Sequence, residues 1–483
     1  MSTEPDSIFP SNIMNLSPYS TITELVRGIR SKEISPLEVL QSHLDRIREF
    51  QPTLNAFVHL DEVGARTAAQ RAENAAQAGK SIGPLHGIPL TLKSSIDVAG
   101  WRCPAGSVLR KDYIPVADAP LVARLKAAGA ILLGNTNTPE FLMAYESNNV
   151  LSGKTSNPWR LSHSAGGSSG GEGAAIASGC SAGGIGSDGG GSVRIPAHFC
   201  GICALKPTPG RIPSTGHFPP SAGAIAWLGV VGPMARTIGD LRALFAVVTG
   251  ADPGDALSAP VPVRPASESP SGDLRIGILE GDGLGSASPE TRSAVRLAVQ
   301  LLANDGFRLA PIRLAGLDRA IDLWWFFFGP VVAHLFHQTV AGYQDVLSPM
   351  FREYLSRAQP EGPLRLDEFL EACAERDVLR ANILTQMQKV DALLSPVSSG
   401  PAFMHGEGTW RPGNQQSYRD TMRYSQWLNL AGLPGVSLPM ALSSDGLPIG
   451  VQIVGHPHTE ELILDVAERL EQLRGAFQRP PLA

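Results

Sequence analysis

The sequence predicts an α/β protein in which a large, mixed, mostly central β-sheet is covered by helices on both faces. Three observations carry that expectation. Short apolar or alternating segments of strand length recur between stretches whose leucines and alanines repeat at helical spacing. This alternation runs on both sides of a linker at 251–273 that is rich in Pro, Ser and Ala and has no periodicity. The chain is long enough, at 483 residues with 43% hydrophobic, to bury a large core, either as one big domain or as two smaller ones.

The elements follow in order. A helical segment is expected over about 20–80: Ser35-Pro36 sets a cap and a proline at the first helical position, and Leu37, Leu40, Leu44 and Ile47 share one face. An alanine-rich helix runs from Glu62 to about Ala78. Gly87–Lys93 (GIPLTLK) reads as a strand with Leu90 and Leu92 on one face and Thr91 and Lys93 on the other, which places a lysine on the inner part of a sheet. Pro120–Ala128 followed by the strand Ala130–Leu133 is the helix-to-strand half of a βαβ unit. Thr237-Ile-Gly-Asp240 resembles a capping box that opens a helix through Val248. After the linker come a strand at Leu274–Leu279, a helix from Ser288-Pro289 and a strand at Phe307–Leu314. The region 317–425 is less regular, with a long helical pattern over Leu366–Val390 and a strand at Ala392–Ser395. Val436–Leu442 and Ile449–Val454 read as a hairpin about Ser443–Gly446, and Leu462, Val466 and Leu470 mark a last amphipathic helix.

Composition excludes several classes of function. A net charge of −5 with no basic run gives no electrostatic footprint for nucleic acid, so a small-molecule partner is expected. Five scattered cysteines argue for reduced thiols in a cytoplasmic setting, and Cys200-Gly-Ile-Cys203 lacks the second CxxC or histidine pair of a zinc site. Neither metal nor cofactor is expected. The first twenty residues do not have a signal-peptide pattern. The most apolar run, Leu323–Ala333 (LWWFFFGPVVA), is interrupted by Gly329-Pro330 and falls short of the roughly 20 residues that span a bilayer, so no transmembrane segment is expected. A homodimer is compatible with the sequence, which does not fix the oligomeric state.

The stretch Ser164–Pro196 concentrates glycine and serine, yet Ala174–Ala177 forms a small apolar helical core between two glycine turns, unlike a flexible linker. Generic motifs inside it fail on context. Gly184–Gly189 fits GxGxxG but is not flanked by a predicted strand and helix, and no acidic residue stands about 20 positions on. Gly166–Gly170 fits GxSxG, but the Arg160–Ser164 segment before it is not the apolar strand a nucleophile elbow needs, and none of the eleven histidines stands out as a partner.

A specific resemblance is stronger. Gly166-Gly-Ser-Ser-Gly-Gly171 with Ala174-Ala175, followed by Ser187-Asp-Gly-Gly-Gly-Ser192-Val-Arg194-Ile-Pro196, resembles the signature of the amidase signature family. Gly87–Lys93, Thr136–Glu140, Phe199–Lys206 and Leu430–Pro439 extend the resemblance over about residues 20–475, and Asn157-Pro-Trp159 with the FCGICALKP segment is similar to the fatty acid amide hydrolase branch. The resemblance implies one domain over 1–483, with a signature core at about 81–250 and a second α/β and substrate-pocket segment at 274–483.

The resemblance also assigns roles. It implies Lys93 as catalytic base, Ser168 as the serine of a cis peptide and Ser192 as nucleophile. An oxyanion needs preorganised N–H donors, which the successive backbone amides of Gly189, Gly190, Gly191 and Ser192 are expected to supply, with Asp188, Arg194 and Ser169 in support of the loop. Chemistry agrees: a serine hydroxyl needs a base near the working pH, and a lysine serves only where burial keeps it neutral. Gly189 stands where the family usually has Thr or an apolar residue, which suggests a more open or more mobile loop. The expected activity is cleavage of the C–N bond of a carboxamide through an acyl-enzyme, on a hydrophobic or aryl amide and also on esters or carbamates. The competing expectation is the glutaminase subunit of a tRNA-dependent amidotransferase.

Overall fold

The computed structural model describes residues 16–80, 83–267, 274–279, 287–359, 363–407, 415–476 and 478–482. Of the expected linker, 251–267 is irregular and exposed or half-buried, and 268–273 lies outside the described residues.

Eleven strands form one sheet: β1 (Phe57–Leu60), β2 (Pro89–Lys93), β3 (Ile131–Thr136), β4 (Gly183–Asp188), β5 (Cys203–Lys206), β6 (Val230–Ala235), β7 (Arg275–Ile278), β8 (Arg308–Pro311), β9 (Ala392–Pro396), β10 (Gly435–Leu442) and β11 (Pro448–Gly455). Their spatial order is β1–β3–β2–β4–β6–β5–β10–β11–β9–β7–β8. The sheet is parallel where β2 pairs with β3 and β4 and where β7 pairs with β8 and β9, and antiparallel through the middle and at the β1 edge. The two α/β segments therefore meet in one continuous sheet, joined where β5 pairs with β10. One apolar core extends from Ile22 to Leu470 and takes residues from both segments, which makes the chain a single large domain.

Local chemistry fixes the helices as read. Helix α2 (Pro36–Leu54) opens on a complete capping box at Ser35 and closes on Asn55 in the left-handed region. Helix α8 (Ile238–Val248) has only half of the expected box: Thr237 accepts from the Asp240 amide, while the Asp240 carboxylate is drawn away to the amide of Ile22 at 2.8 Å.

Two expectations fail for physical reasons. The glycine-dense segment Gly183–Asp188 is a strand at the heart of the sheet, although its composition is poor for one. It is glycine because helix α5 (Gly170–Ala177) and the loop before it press directly on it: a Cβ on Gly184 would stand 2.1 Å from Glu172 Oε2, and one on Gly186 would stand 2.7 Å from Ser169 Oγ. The aromatic run is not interrupted at Gly329-Pro330 either. Helices α10 (Leu317–Phe326) and α11 (Val332–Val340) are joined by a wider π turn, Phe327–Val331, which absorbs the proline. The resulting 24-residue stretch is long and apolar enough to cross a membrane by length and composition, and half of its most apolar window is buried inside the protein.

Candidate active site

Strand β2 ends on Lys93, whose side chain is fully buried on the face shared with Thr91, as the alternation predicts. Its Nζ lies 2.6 Å from Ser168 Oγ and 3.0 Å from Ser187 Oγ. Burial lowers its pKa from 10.5 to about 7, against the opposing pull of Asp188 and Glu172. A large fraction of the amine is thus neutral near pH 7.

Ser168 follows Gly167 through a cis peptide, at the turn before helix α5. Its carbonyl accepts from Thr138 Oγ1 at 2.7 Å and from Ser147 Oγ at 3.3 Å, which fixes the turn from outside. Ser192 lies four residues past the end of β4 and two before helix α6 (Arg194–Cys200). The two serine loops are tied together by the Ser169 amide, which donates to Ser192 O at 3.1 Å, and by Ser169 Oγ, which is 3.3 Å from the carbonyl oxygen of Ser187.

Asp188 and Arg194 form a fully buried bidentate pair with both contacts at 3.0 Å, so they are no ordinary surface pair. Burial alone would raise the Asp188 pKa, but the charge and hydrogen bonds of Arg194 more than offset it and hold the carboxyl well below the usual range. Asp188 also accepts from the amides of Gly191 at 2.7 Å and Val193 at 3.2 Å, and Arg194 reaches Ser425 O, Asn429 Oδ1 and Gln452 Oε1. Gly191, expected among the oxyanion donors, thus has its N–H taken up by Asp188.

Ser168 and Ser192 open together on a narrow cavity of about 50 Å³, walled by Leu142, Met143, Ile225, Leu228, Phe328 and Val332. Two wider clefts elsewhere are lined by neither serine nor by Lys93. The loop at Gly189 is not more open, because the Phe328 ring fills the space a side chain would use, 3.2 Å from the position of a Cβ. His217 also lines the cavity. Its Nδ1 must carry hydrogen to reach Pro219 O at 3.0 Å, so Nε2 accepts from Ser95 Oγ at 3.2 Å. Burial first, and then the nearby Lys93, push its pKa down to about 3, leaving a neutral ring with both nitrogens engaged.

The structure adds residues that the sequence did not single out. Glu172 is fully buried near Lys93, with Oε2 accepting from Thr91 Oγ1 at 2.6 Å and Oε1 from Thr136 Oγ1 at 2.8 Å. Burial raises its pKa to about 8, so it is mainly a neutral acid at pH 7. The one sequence signal was an acidic residue inside a stretch otherwise made of small residues. Tyr145, Trp324 and Asn429 donate to the loop carrying Ser192, from segments with no sequence proximity to it.

A family profile described as Amidase matches residues 38–464. A glutamyl-tRNA(Gln) amidotransferase subunit from Roseiflexus sp. (strain RS-1) is 33% identical over 97% of this chain and 99% of its own. Among solved structures, a 6-aminohexanoate cyclic dimer hydrolase bound to substrate is 29% identical with a TM-score of 0.85, covering 97% of this chain and all of its own. A fatty acid amide hydrolase is 27% identical with a TM-score of 0.85, covering 95% of this chain and 86% of its own.

These relatives correct one expectation. A single small-molecule amide as partner, with no nucleic acid, does not stand against full-length relatives that are subunits of an amidotransferase named for glutamyl-tRNA(Gln). They fit the competing expectation better than the leading one, whereas the hydrolase neighbours share the fold. With the profile spanning the whole sheet and both serine loops, the chain belongs to the amidase signature family.

Proposed function

We propose that the chain cleaves a carboxamide C–N bond through an acyl-enzyme on Ser192, with Lys93 as base and Ser168 as proton relay. The 2.6 Å contact between Lys93 Nζ and Ser168 Oγ, made by a buried lysine whose pKa falls to about 7, is the observation that carries this reading. Neutral Lys93 takes the Ser168 proton as Ser168 takes that of Ser192, and Ser192 Oγ bonds to the carbonyl carbon. The amides of Gly189, Gly190 and Ser192 receive the oxyanion. As the tetrahedral centre collapses, the C–N bond breaks and the proton returns through Ser168 to the leaving nitrogen. Water then repeats the sequence on the ester.

Two substrate readings meet different support. Similarity along the full chain favours glutamine hydrolysis within an amidotransferase, whose products are glutamate on its way off Ser192 and ammonia. The apolar wall formed by Leu142, Met143, Ile225, Leu228, Phe328 and Val332 favours a hydrophobic or aryl acyl group, with esters and carbamates accepted through the same acyl-enzyme. One assay separates them. The full chain is incubated with glutamine, an anilide, a p-nitrophenyl ester and a carbamate, and Ser192 is followed by mass spectrometry after treatment with a fluorophosphonate. Glutamine turnover alone supports the subunit reading, and anilide or ester turnover supports the apolar one. Unchanged turnover in Ser192→Ala, where a loss of at least about a thousandfold is expected, would sink both.

A further inference from the structure

The carbonyl oxygens of three successive residues just before the nucleophile are each held by a side chain from a different part of the fold. Asn429 Nδ2 donates to Asp188 O at 3.1 Å, Trp324 Nε1 to Gly189 O at 2.8 Å, and Tyr145 Oη to Gly190 O at 2.7 Å. In a planar trans peptide the N–H points opposite to the C=O. Each contact therefore also sets the direction of the next amide, namely those of Gly189, Gly190 and Gly191. The last of these is accounted for, because Asp188 Oδ1 takes the Gly191 N–H at 2.7 Å and so fixes that peptide from its other end. Trp324 governs the peptide that carries the Gly190 N–H.

Trp324 is well placed to hold it. The indole is 3% exposed and stacks on Phe328 with ring centres 4.6 Å apart and planes 16° apart. It lies so close to the loop that a Cβ on Gly190 would stand 2.4 Å from its Cζ2. The indole N–H is a donor only, so no rotation of the side chain can exchange its role.

We propose that Trp324 is a positioning residue for the oxyanion site. It fixes the Gly189–Gly190 peptide so that the Gly190 N–H meets the developing negative charge, while Asn429 and Tyr145 hold the neighbouring peptides. This rests on the reading above of Ser192 as nucleophile and of Gly189 and Gly190 as oxyanion donors.

The test uses the full chain and a fluorophosphonate, whose phosphoryl oxygen takes the oxyanion position, so no natural substrate is needed. Phosphonylation of Ser192 is timed by intact mass at saturating probe. Trp324→Phe keeps an aromatic ring and removes the donor. Its limiting rate should fall about tenfold to a hundredfold, with the final fraction labelled unchanged. Tyr145→Phe should fall less, since Asp188 still holds the same peptide. A purely structural role would instead lower the fraction that labels, or weaken probe binding, at an unchanged limiting rate, and either result overturns the proposal. If Trp324→Phe yields too little folded protein, 3-benzothienylalanine at this position, which has sulfur in place of N–H in nearly the same volume, gives the same reading. Wild-type protein that does not label at Ser192 overturns the nucleophile assignment and the proposal with it. Normal labelling of wild type and variant at equal rates overturns the proposal alone.

Discussion

Replacing Lys93 by methionine should abolish activity and yet change stability in a way that reads the buried lysine directly. In the unfolded chain the amine titrates at 10.5, and in the fold burial lowers this to about 7. Below pH 7 both states carry the proton and the whole cost of burying it is present, whereas above 10.5 both are neutral and the cost is gone. Lys93 therefore destabilises the fold most at low pH, and this penalty fades as pH rises. With those two values it amounts to about 4 kcal/mol at pH 7 and about 2 kcal/mol at pH 9. Lys93→Met removes the penalty. It also strips Ser168 and Ser187 of a partner, which costs about 1–3 kcal/mol at any pH. The absolute difference between variant and wild type mixes these effects, but its pH dependence does not. Guanidinium unfolding at pH 7 and pH 9 should show the variant's advantage shrinking by at least about 2 kcal/mol, because loss of the Lys93 charge also lets the Glu172 pKa rise further, which costs the variant additional stability as pH rises. In wild type, the same titration should appear as a rise in kcat/KM through about pH 7 as the base loses its proton. A stability difference that stays constant from pH 7 to pH 9 would refute the depressed lysine, and with it the base.

Further outcomes follow from the same contacts. Asp188→Asn leaves the buried Arg194 guanidinium without its countercharge and should cost about 3–5 kcal/mol in denaturant unfolding. Gly190→Ala drives a methyl to within 2.4 Å of Trp324 Cζ2 and 2.9 Å of Tyr145 Oη, and should cut the Ser192 acylation rate by at least about a hundredfold with most of the protein still folded. Phe328→Ala opens the cavity beside Gly189 and should shift relative kcat/KM among p-nitrophenyl esters toward bulkier acyl groups; an unchanged ranking would remove Phe328 from the acyl wall.

Much of the fold and of the site is legible in the amino-acid sequence. The alternation of GIPLTLK places Lys93 inside the sheet, and caps such as Ser35-Pro36 place the helices. Other features stay hidden because a linear sequence does not say what presses on a residue. Gly183–Asp188 looks like a loop, and only the Glu172 and Ser169 side chains lying on it explain why a central strand must be glycine. Pro330 looks like a stop, and only a π turn explains how the helix passes through it. At Gly189 the missing side chain suggests mobility, whereas Phe328, 139 positions further along, occupies the space it leaves. Trp324, Tyr145 and Asn429 share no motif with the nucleophile, because their role depends on where three distant segments cross one loop.

Four buried ionisable groups, Asp188, Arg194, Lys93 and Glu172, show why one pair suits a scaffold and the other the chemistry proposed above. All four are buried, and burial acts on each in the same sense, against charge. Asp188 and Arg194 resist it because their charges meet in a bidentate contact and because two backbone amides, Asn429 and Gln452 meet their remaining bonding capacity. That contact holds the Asp188 carboxyl well below its usual range and fixes the loop. Lys93 and Glu172 are hydrogen-bonded only to hydroxyl and carbonyl groups, which offset the cost of burial less than a bidentate countercharge does. Burial consequently wins, taking the lysine down to about 7 and the acid up to about 8. For Lys93 burial outweighs the opposing pull of both Asp188 and Glu172, which is what would leave the amine free to take the Ser168 proton in the proposed mechanism.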